Sequence, residues 1–475
     1  MAKYITIDLG ASNGRVIVGN LHSFEVMNRF VTRNEMFHQE MYWDIPYIFS
    51  EIKKGLKEAF NQFGNEIVSI GIDSWGVDYG LLDSYGSLIS LPYHYRDMRT
   101  ANMMDEVHKK VAPVRLFQRT GISQNQINTI YQLAAMKQDR SSIFNAGAHY
   151  LSIADLLNYW LTGVMANEMT NASTTGLFDP VARQWAWDVI ETLGFPKSLF
   201  GKLVSAGTIL GPLTDTLQHE LGASSDVKVV AVGSHDTASA VAAVPSDIDE
   251  IMYISSGTWS LLGTKIPKPI VSTEAHMSGF TNELAVDNTI RFLKNIMGMW
   301  IQQECIRYWE SMGEAISWKE LDRQTLEQSD FKGSINGNDK RYLLPNSHSS
   351  LMVDRIKDQC RERNLPVPTN KGQYMVAIYR GLAEAYVESV THLRTISGLS
   401  FGAIHIIGGG CKNEILDQWT ADSTGLPVYA GPAEATAFGN MVVQSVAMGQ
   451  SESLGAARQM LLANQKVKLF RPSVN

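Results

Sequence analysis

The chain is poor in cysteine and has no surplus of positive charge, and each shortage excludes a class of protein. Cys305, Cys360 and Cys411 are the only cysteines in 475 residues. An odd, widely spaced set forms no disulfide framework and has no zinc-ligand spacing; it fits a reducing, cytoplasmic setting. Lys and Arg number 41 against 48 Asp and Glu, a net charge of −7 with a pI near 5.9. Nucleic-acid binding normally needs a basic face, so no nucleic-acid partner is expected. Long apolar runs are missing too. Nothing approaches the roughly 18 residues of a spanning helix, and the short N-terminal run closed by Asp8 is no signal peptide. Neither a membrane partner nor secretion is expected, which leaves Asn171-Ala-Ser173 as a chance match to a glycosylation acceptor. The Gly-Lys-Ser/Thr phosphate loop is absent, as is a Gly-x-Gly-x-x-Gly fingerprint opening a helix.

What is present is an ordinary globular composition, 44% apolar and 19% charged. A single core rarely grows past about 250–300 residues, so at least two lobes are expected. Residues 4–9 read as a strand, followed by a Gly-rich turn and a second strand over Val16–Val18. Asp44 and Pro46 mark the start of a helix running to Phe63, with Gly64 closing it. Val68–Ile72, Tyr79–Leu82 and Leu88–Ile89 read as short strands, and 101–163 as largely helical. Val227–Val232 is a continuous apolar run, as in a strand buried on both faces. A polar segment, Pro245–Glu250, suggests a boundary, giving domains at 1–244 and 245–475. Beyond it the opening pattern recurs: strand Ile251–Ile254, turn Ser255–Thr258, strand Trp259–Gly263. Gly10 and Gly257 are 247 residues apart, about half the chain. A helix over Gln373–Leu399, a strand over Ala403–Ile407, a helix over Asn413–Thr424 and a strand over Val428–Ala430 follow. Alternating strands and helices predict α/β lobes.

Five loops carry candidate chemistry, each with a plainer alternative. Asp8–Arg15 offers main-chain N–H groups at Gly10 and Gly14, side-chain hydrogen bonds from Ser12 and Asn13, and the charge of Arg15; it also reads as a tight hairpin. Asp8, at a strand end, suits a hydrated Mg²⁺. Ser234-His235-Asp236-Thr237 follows a buried strand, where open α/β sheets place their sites. Asp236 is a candidate proton acceptor there, or else a helix cap. Ser255–Thr258 is a second cradle or a second hairpin. Gly408–Asn413 has three glycines in a row, suited to a flat group against the backbone or to a compact turn. Gly71–Asp78 combines two carboxylates and a Trp, with Tyr95, Asp97 and Arg99 further on, as a sugar platform or a turn with a core Trp.

Several strings in one order carry a resemblance over nearly the whole chain. They are Ile-Asp-Leu-Gly-Ala-Ser-Asn-Gly-Arg (7–15), Ile-Asp-Ser-Trp-Gly-Val-Asp (72–78), Ser-His-Asp-Thr-Ala-Ser-Ala (234–240), Ser-Ser-Gly-Thr-Trp-Ser-Leu (255–261), Leu-Lys-Asn-Ile-Met-Gly-Met-Trp (293–300) and Gly-Pro-Ala-Glu-Ala-Thr-Ala-Phe-Gly-Asn (431–440). Together they resemble the FGGY carbohydrate kinases of the actin-like ATPase superfamily. The resemblance implies two RNase H-like α/β domains with an interdomain cleft: an N-terminal sugar-binding and phosphate-loop domain, and a C-terminal nucleotide-binding domain. It implies ATP-dependent phosphorylation of a small sugar or polyol, with Mg²⁺ and with Asp236 as catalytic base. It places Ala11, Ser12, Asn13, Gly14, Arg15, Thr258, Gln303 and Gly409 around ATP. It places Gly76, His235, Asp236, Thr237 and Asn295 around the sugar. Asn13 stands where Ser is common in such kinases, and it can still donate a hydrogen bond.

Overall fold

The computed structural model describes residues 2–244, 251–343, 346–347 and 350–473. The expected boundary segment, Pro245–Glu250, lies outside the described residues. The chain opens with β1 (Lys3–Leu9), β-branched and apolar and buried along nearly its whole length. The turn Gly10–Ser12 returns it antiparallel as β2 (Asn13–Gly19), with β3 (Phe24–Val31) alongside. Helix α1 (Ile45–Phe63) starts where Asp44 accepts the Tyr47 N–H at 3.2 Å and stops at Gly64, whose φ is 49°. Its apolar stripe, Ile48, Ile52, Leu56 and Phe60, is buried in the core that holds β1 and β2.

β4 (Ile67–Ser74), β5 (Thr208–Pro212) and β6 (Lys228–Ala231) complete a sheet ordered β5-β6-β4-β1-β2-β3. β1, β4 and β6 run parallel, β5 antiparallel at the edge. The turn 232–235 then leads into α2 (Asp236–Ala242).

The plan repeats in the second half. β7 (Met252–Ser256) and β8 (Trp259–Ile266) form a hairpin, followed by β9 (Phe280–Leu284), β10 (Ile290–Met297) and α3 (Trp300–Ser311). After α4 (Lys371–Ser397) come β11 (Ile404–Ile407), α5 (Glu414–Thr424), β12 (Val428–Ala430), α6 (Ala435–Ala447) and β13 (Lys468–Phe470). The seven-stranded sheet is ordered β9-β10-β8-β7-β11-β12-β13; apart from the added edge strand β9 it matches the first sheet strand for strand, down to the antiparallel edge.

The compact units differ from the expected single cut between 244 and 245. One comprises Met1–Asp247, Lys265–Phe292 and Ala435–Gln465; the other comprises Ile248–Thr264, Leu293–Glu434 and Lys466–Asn475. Helix α6 returns to the first unit because its small-residue face packs on α2 and on β1 and β4. Two local expectations also change. Leu88–Ile89 makes one isolated bridge, Leu82 to Leu88, rather than a strand. The helical stretch 101–163 is interrupted by the strand His149–Ser152, which pairs with Tyr79–Leu82. A short apolar run of that kind fits either period, and cross-strand pairing decides it.

Candidate active site

Three parallel strands of the first unit end together and are laced by main-chain bonds. Trp75 N–H donates to Leu9 O at 3.2 Å, and Ser74 N–H to Ser234 O at 2.9 Å. Buried Glu168 bolts the third loop down: one carboxylate oxygen accepts from Ser234 N (3.1 Å), Ser234 Oγ (2.8 Å) and Thr170 N (3.0 Å). Asn171 is also buried, 3.5 Å from Ser234 O through its amide, so the glycosylation match is an interior residue.

Asp236 is the first residue of α2, and no side chain caps that helix. Its Oδ1 accepts from Thr237 Oγ1 at 3.1 Å, and a third of the side chain (33%) remains accessible. Burial of the site nevertheless pushes its carboxyl above the ordinary range, with the Asp8 charge adding to the shift. That combination, reachable yet more basic than usual, suits a proton acceptor better than a cap. His235 Nε2 lies 3.6 Å from Asp236 Oδ1. On the other edge of the ring, Nδ1 is 3.1 Å from Arg291 Nη2 and 3.2 Å from Glu283 Oε2. Burial alone would raise Glu283, but the Arg291 guanidinium outweighs it and holds its carboxyl below the usual range. Gly76 borders the same ring: a Cβ there would sit 3.1 Å from Thr174 Oγ1 and 3.4 Å from His235 Nε2. The next residue, Val77, has φ 70°, a strained conformation for a β-branched side chain that its surroundings must hold.

Asp8 and Asp73 are register partners on β1 and β4. Asp8 is ion-paired with Arg15 across the hairpin. Asp73 is fully buried; Asn440 Nδ2 of α6 donates to its Oδ2 at 2.5 Å, while Oδ1 has no hydrogen-bond partner. Burial, then Asp8 and Asp236, push Asp73 well above the carboxylate range. Mutually repelling carboxylates with an unpartnered oxygen fit a divalent cation. Among the described residues no three His, Cys, Asp or Glu converge to enclose a metal ion. The turn that follows Asp8 leaves Ser12 and Asn13 exposed, with Gly10 N–H closing on Asn13 O at 2.9 Å.

The other carboxylate of the 71–78 segment is structural. Asp78 is buried and accepts from Trp43 Nε1 (2.6 Å), Trp75 Nε1 (3.0 Å), Tyr95 N (3.2 Å) and Gln132 Nε2 (2.8 Å). Burial pushes it up to about 6, against the pull of those hydrogen bonds. The folded value lies above the unfolded one, so the fold favours the protonated acid, and stability is lost as pH rises through about 4 to 6. An Asn at 78 does not titrate, and it sets an amide donor among four donors. Asp78→Asn is therefore expected to destabilise, and by about 2 kcal/mol less at pH 7.5 than at pH 4.5. Denaturant melts of both proteins at the two pH values check this; a gap that widens with pH contradicts it.

In the second unit, Thr258, Gln303 and Gly409 gather about one turn. Met299 N–H donates to Gly257 O (3.0 Å), Trp300 N–H to Thr258 O (3.3 Å), and Gln303 N–H to Met299 O (2.9 Å). Gly298 permits that approach, since a Cβ would lie 2.8 Å from Gly257 O. From β11, Gly408 (φ 83°) and Gly410 press on Ser256, where a Cβ on Gly410 would meet Ser256 Oγ at 1.9 Å. Gly409 itself is exposed with open space around it. Asn295 is exposed on β10. The residues that sequence reasoning missed are Glu168, Glu283, Arg291 and Asn440. Each is polar and buried, and each acts on a residue distant in sequence.

The FGGY family of carbohydrate kinases accounts for both halves of this arrangement: its N-terminal domain matches residues 3–243 and its C-terminal domain residues 252–448. The chain belongs to that family and is a carbohydrate kinase that uses ATP and a small-molecule sugar. Among curated relatives, a rhamnulokinase of Halalkalibacterium halodurans is 39% identical, covering 98% of each chain. A rhamnulokinase of Bacillus subtilis is 36% identical over 99% of this chain and 95% of its own length. Solved structures share the two-domain α/β fold. They include a ligand-bound xylulose kinase of Lactobacillus acidophilus (TM-score 0.81, 15% identity, 100% of this chain and 94% of that one). A Plasmodium falciparum glycerol kinase with ADP is another (TM-score 0.80, 14% identity, 100% and 95%). Among the described residues no helix is long and apolar enough to cross a membrane.

Proposed function

We propose that this kinase transfers the γ-phosphoryl group of ATP to the C1 hydroxyl of L-rhamnulose, giving L-rhamnulose 1-phosphate and ADP in L-rhamnose catabolism. The observation that carries the substrate is the near full-length similarity to rhamnulokinases. Asp236 takes the proton of the C1 hydroxyl as the new P–O bond forms, and the bond to the ADP oxygen breaks with its electron pair leaving on ADP. The raised basicity and partial accessibility of Asp236 support that role. Gly76, His235, Thr237 and Asn295 bind the sugar, Gly76 leaving room beside the imidazole. Ala11, Ser12, Asn13, Gly14 and Arg15 meet the phosphates with main-chain N–H groups, hydroxyl, amide and guanidinium; Thr258, Gln303 and Gly409 contact the nucleotide. Asp8 and Asp73 would hold Mg²⁺, which when bound offsets charge on the phosphate oxygens.

A coupled ADP-release assay over L-rhamnulose, L-fuculose, xylulose, ribulose and glycerol tests the substrate. The highest kcat/KM is expected for L-rhamnulose. An equal or higher value for another sugar reassigns the substrate within the family.

A further inference from the structure

We infer that Arg291 is a positioning residue that fixes His235 as the neutral tautomer with its hydrogen on Nε2, so that the imidazole faces the sugar as a hydrogen-bond donor. The inference rests on the reading that the His235–Asp236 loop receives the reacting end of the sugar. Arg291 is fully buried, its Nε donating to Leu284 O at 3.1 Å and its Nη2 lying 3.1 Å from His235 Nδ1. A guanidinium has only donors and does not lose its proton. Nδ1 must therefore accept, which leaves the ring hydrogen on Nε2.

Glu283 offers the competing arrangement, with its Oε2 3.2 Å from the same Nδ1. Direction decides between them. Arg291 Nη2 is aligned on Nδ1, whereas Glu283 Oε2 is a buried oxygen with no aligned donor and serves as the charge partner of Arg291 at 3.0 Å. Glu283, Arg291 and Asp236 are the charged groups that face this ring.

One consequence follows for the reaction: Nε2–H lies on the edge shared with Asp236 Oδ1 and Gly76, where a sugar oxygen fits.

The test begins on the sugar-free protein labelled with ¹⁵N-histidine, with His235 assigned by comparison with His235→Gln. From pH 6 to 8 the Nδ1 signal is expected to be that of an unprotonated nitrogen and Nε2 that of a protonated one. An Nδ1–H pattern, or an imidazolium at pH 7, overturns the assignment whatever the sugar. The double variant Arg291→Met/Glu283→Gln removes both charges together, so that no buried ion is left alone. It is expected to lose about tenfold to a hundredfold in kcat/KM for the sugar, the worth of one buried hydrogen bond, with the KM for ATP unchanged. Sugar kinetics equal to the wild type overturn the positioning role. A wild-type protein inactive on every sugar fails the functional reading instead, and the NMR measurement still decides the tautomer.

Discussion

Asp236→Asn is expected to leave a folded protein that has lost sugar-dependent ADP release, with kcat down by about a thousandfold. An amide has the shape of the carboxylate and keeps an oxygen for the Thr237 hydroxyl, so the start of α2 is unchanged. It cannot take the proton of a sugar hydroxyl. Stability should not suffer. Burial and Asp8 oppose the charge on Asp236, and Asp236 in turn pushes up Asp73. Removing that charge relieves the repulsion, so the melting temperature is expected to hold or to rise at pH 7.5. This is the pattern of a site kept strained for function. Turnover assays and thermal melts on the same preparations separate the cases. Near wild-type turnover removes Asp236 from the base role. Inactivity with a collapsed melting temperature makes it a structural residue.

The loops were legible in the sequence because their chemistry is local. β-branched runs around Gly10 and Gly257 announced two hairpins, and both form with the strand pairings that local patterning implies. Asp44, Pro46 and Gly64 bounded α1 through capping, a matter of neighbouring residues. His235 and Asp236 stood out because they follow a buried strand. Their supports were invisible for a physical reason. Arg291 reaches His235 from 56 residues away, and Glu168 reaches Ser234 from 66. Nothing in the local sequence of β10 marks Arg291 as a buried cation with a histidine for a partner. Asp73 and Asp78 show the same limit within a single segment. Both stand in a segment that reads either as a sugar platform or as a turn with a core Trp, and only the register with β1 sets Asp73 beside Asp8 while Asp78 turns onto two tryptophans. Chain order also hid the course of α6, which lies some 190 residues beyond α2 yet packs against it.

That contact makes Gly439→Ala the most damaging conservative change expected away from the reacting groups. In isolation, alanine is the better helix former by about 1 kcal/mol, so local propensity predicts a gain in the middle of α6. Packing reverses the sign. A Cβ at 439 would lie 1.7 Å from Ser239 O and 2.6 Å from Ser239 C, both backbone atoms of α2. No rotamer relieves a clash with backbone, so α2 and α6 must move apart by more than an ångström. Neither helix is free to move. Ser239 Oγ donates to Gly233 O at 2.7 Å, and the neighbouring Asn440 donates to Asp73. Moving α2 shifts Asp236 at its first residue, and moving α6 removes the hydrogen bond that opposes the upward shift of Asp73. The net cost is expected to be about 3 kcal/mol, seen as an earlier unfolding transition, together with a fall in kcat at temperatures where the variant is still folded. Gly455→Ala is the control. It lies in the helix Leu454–Leu462, where the nearest atom to a Cβ is Ser453 Oγ at 3.7 Å, an ordinary contact, so only propensity acts and the variant should be unchanged or slightly more stable. If Gly439→Ala melts with the wild type while Gly455→Ala behaves as stated, the close packing of α6 on α2 is not what holds the Asp236 loop in place.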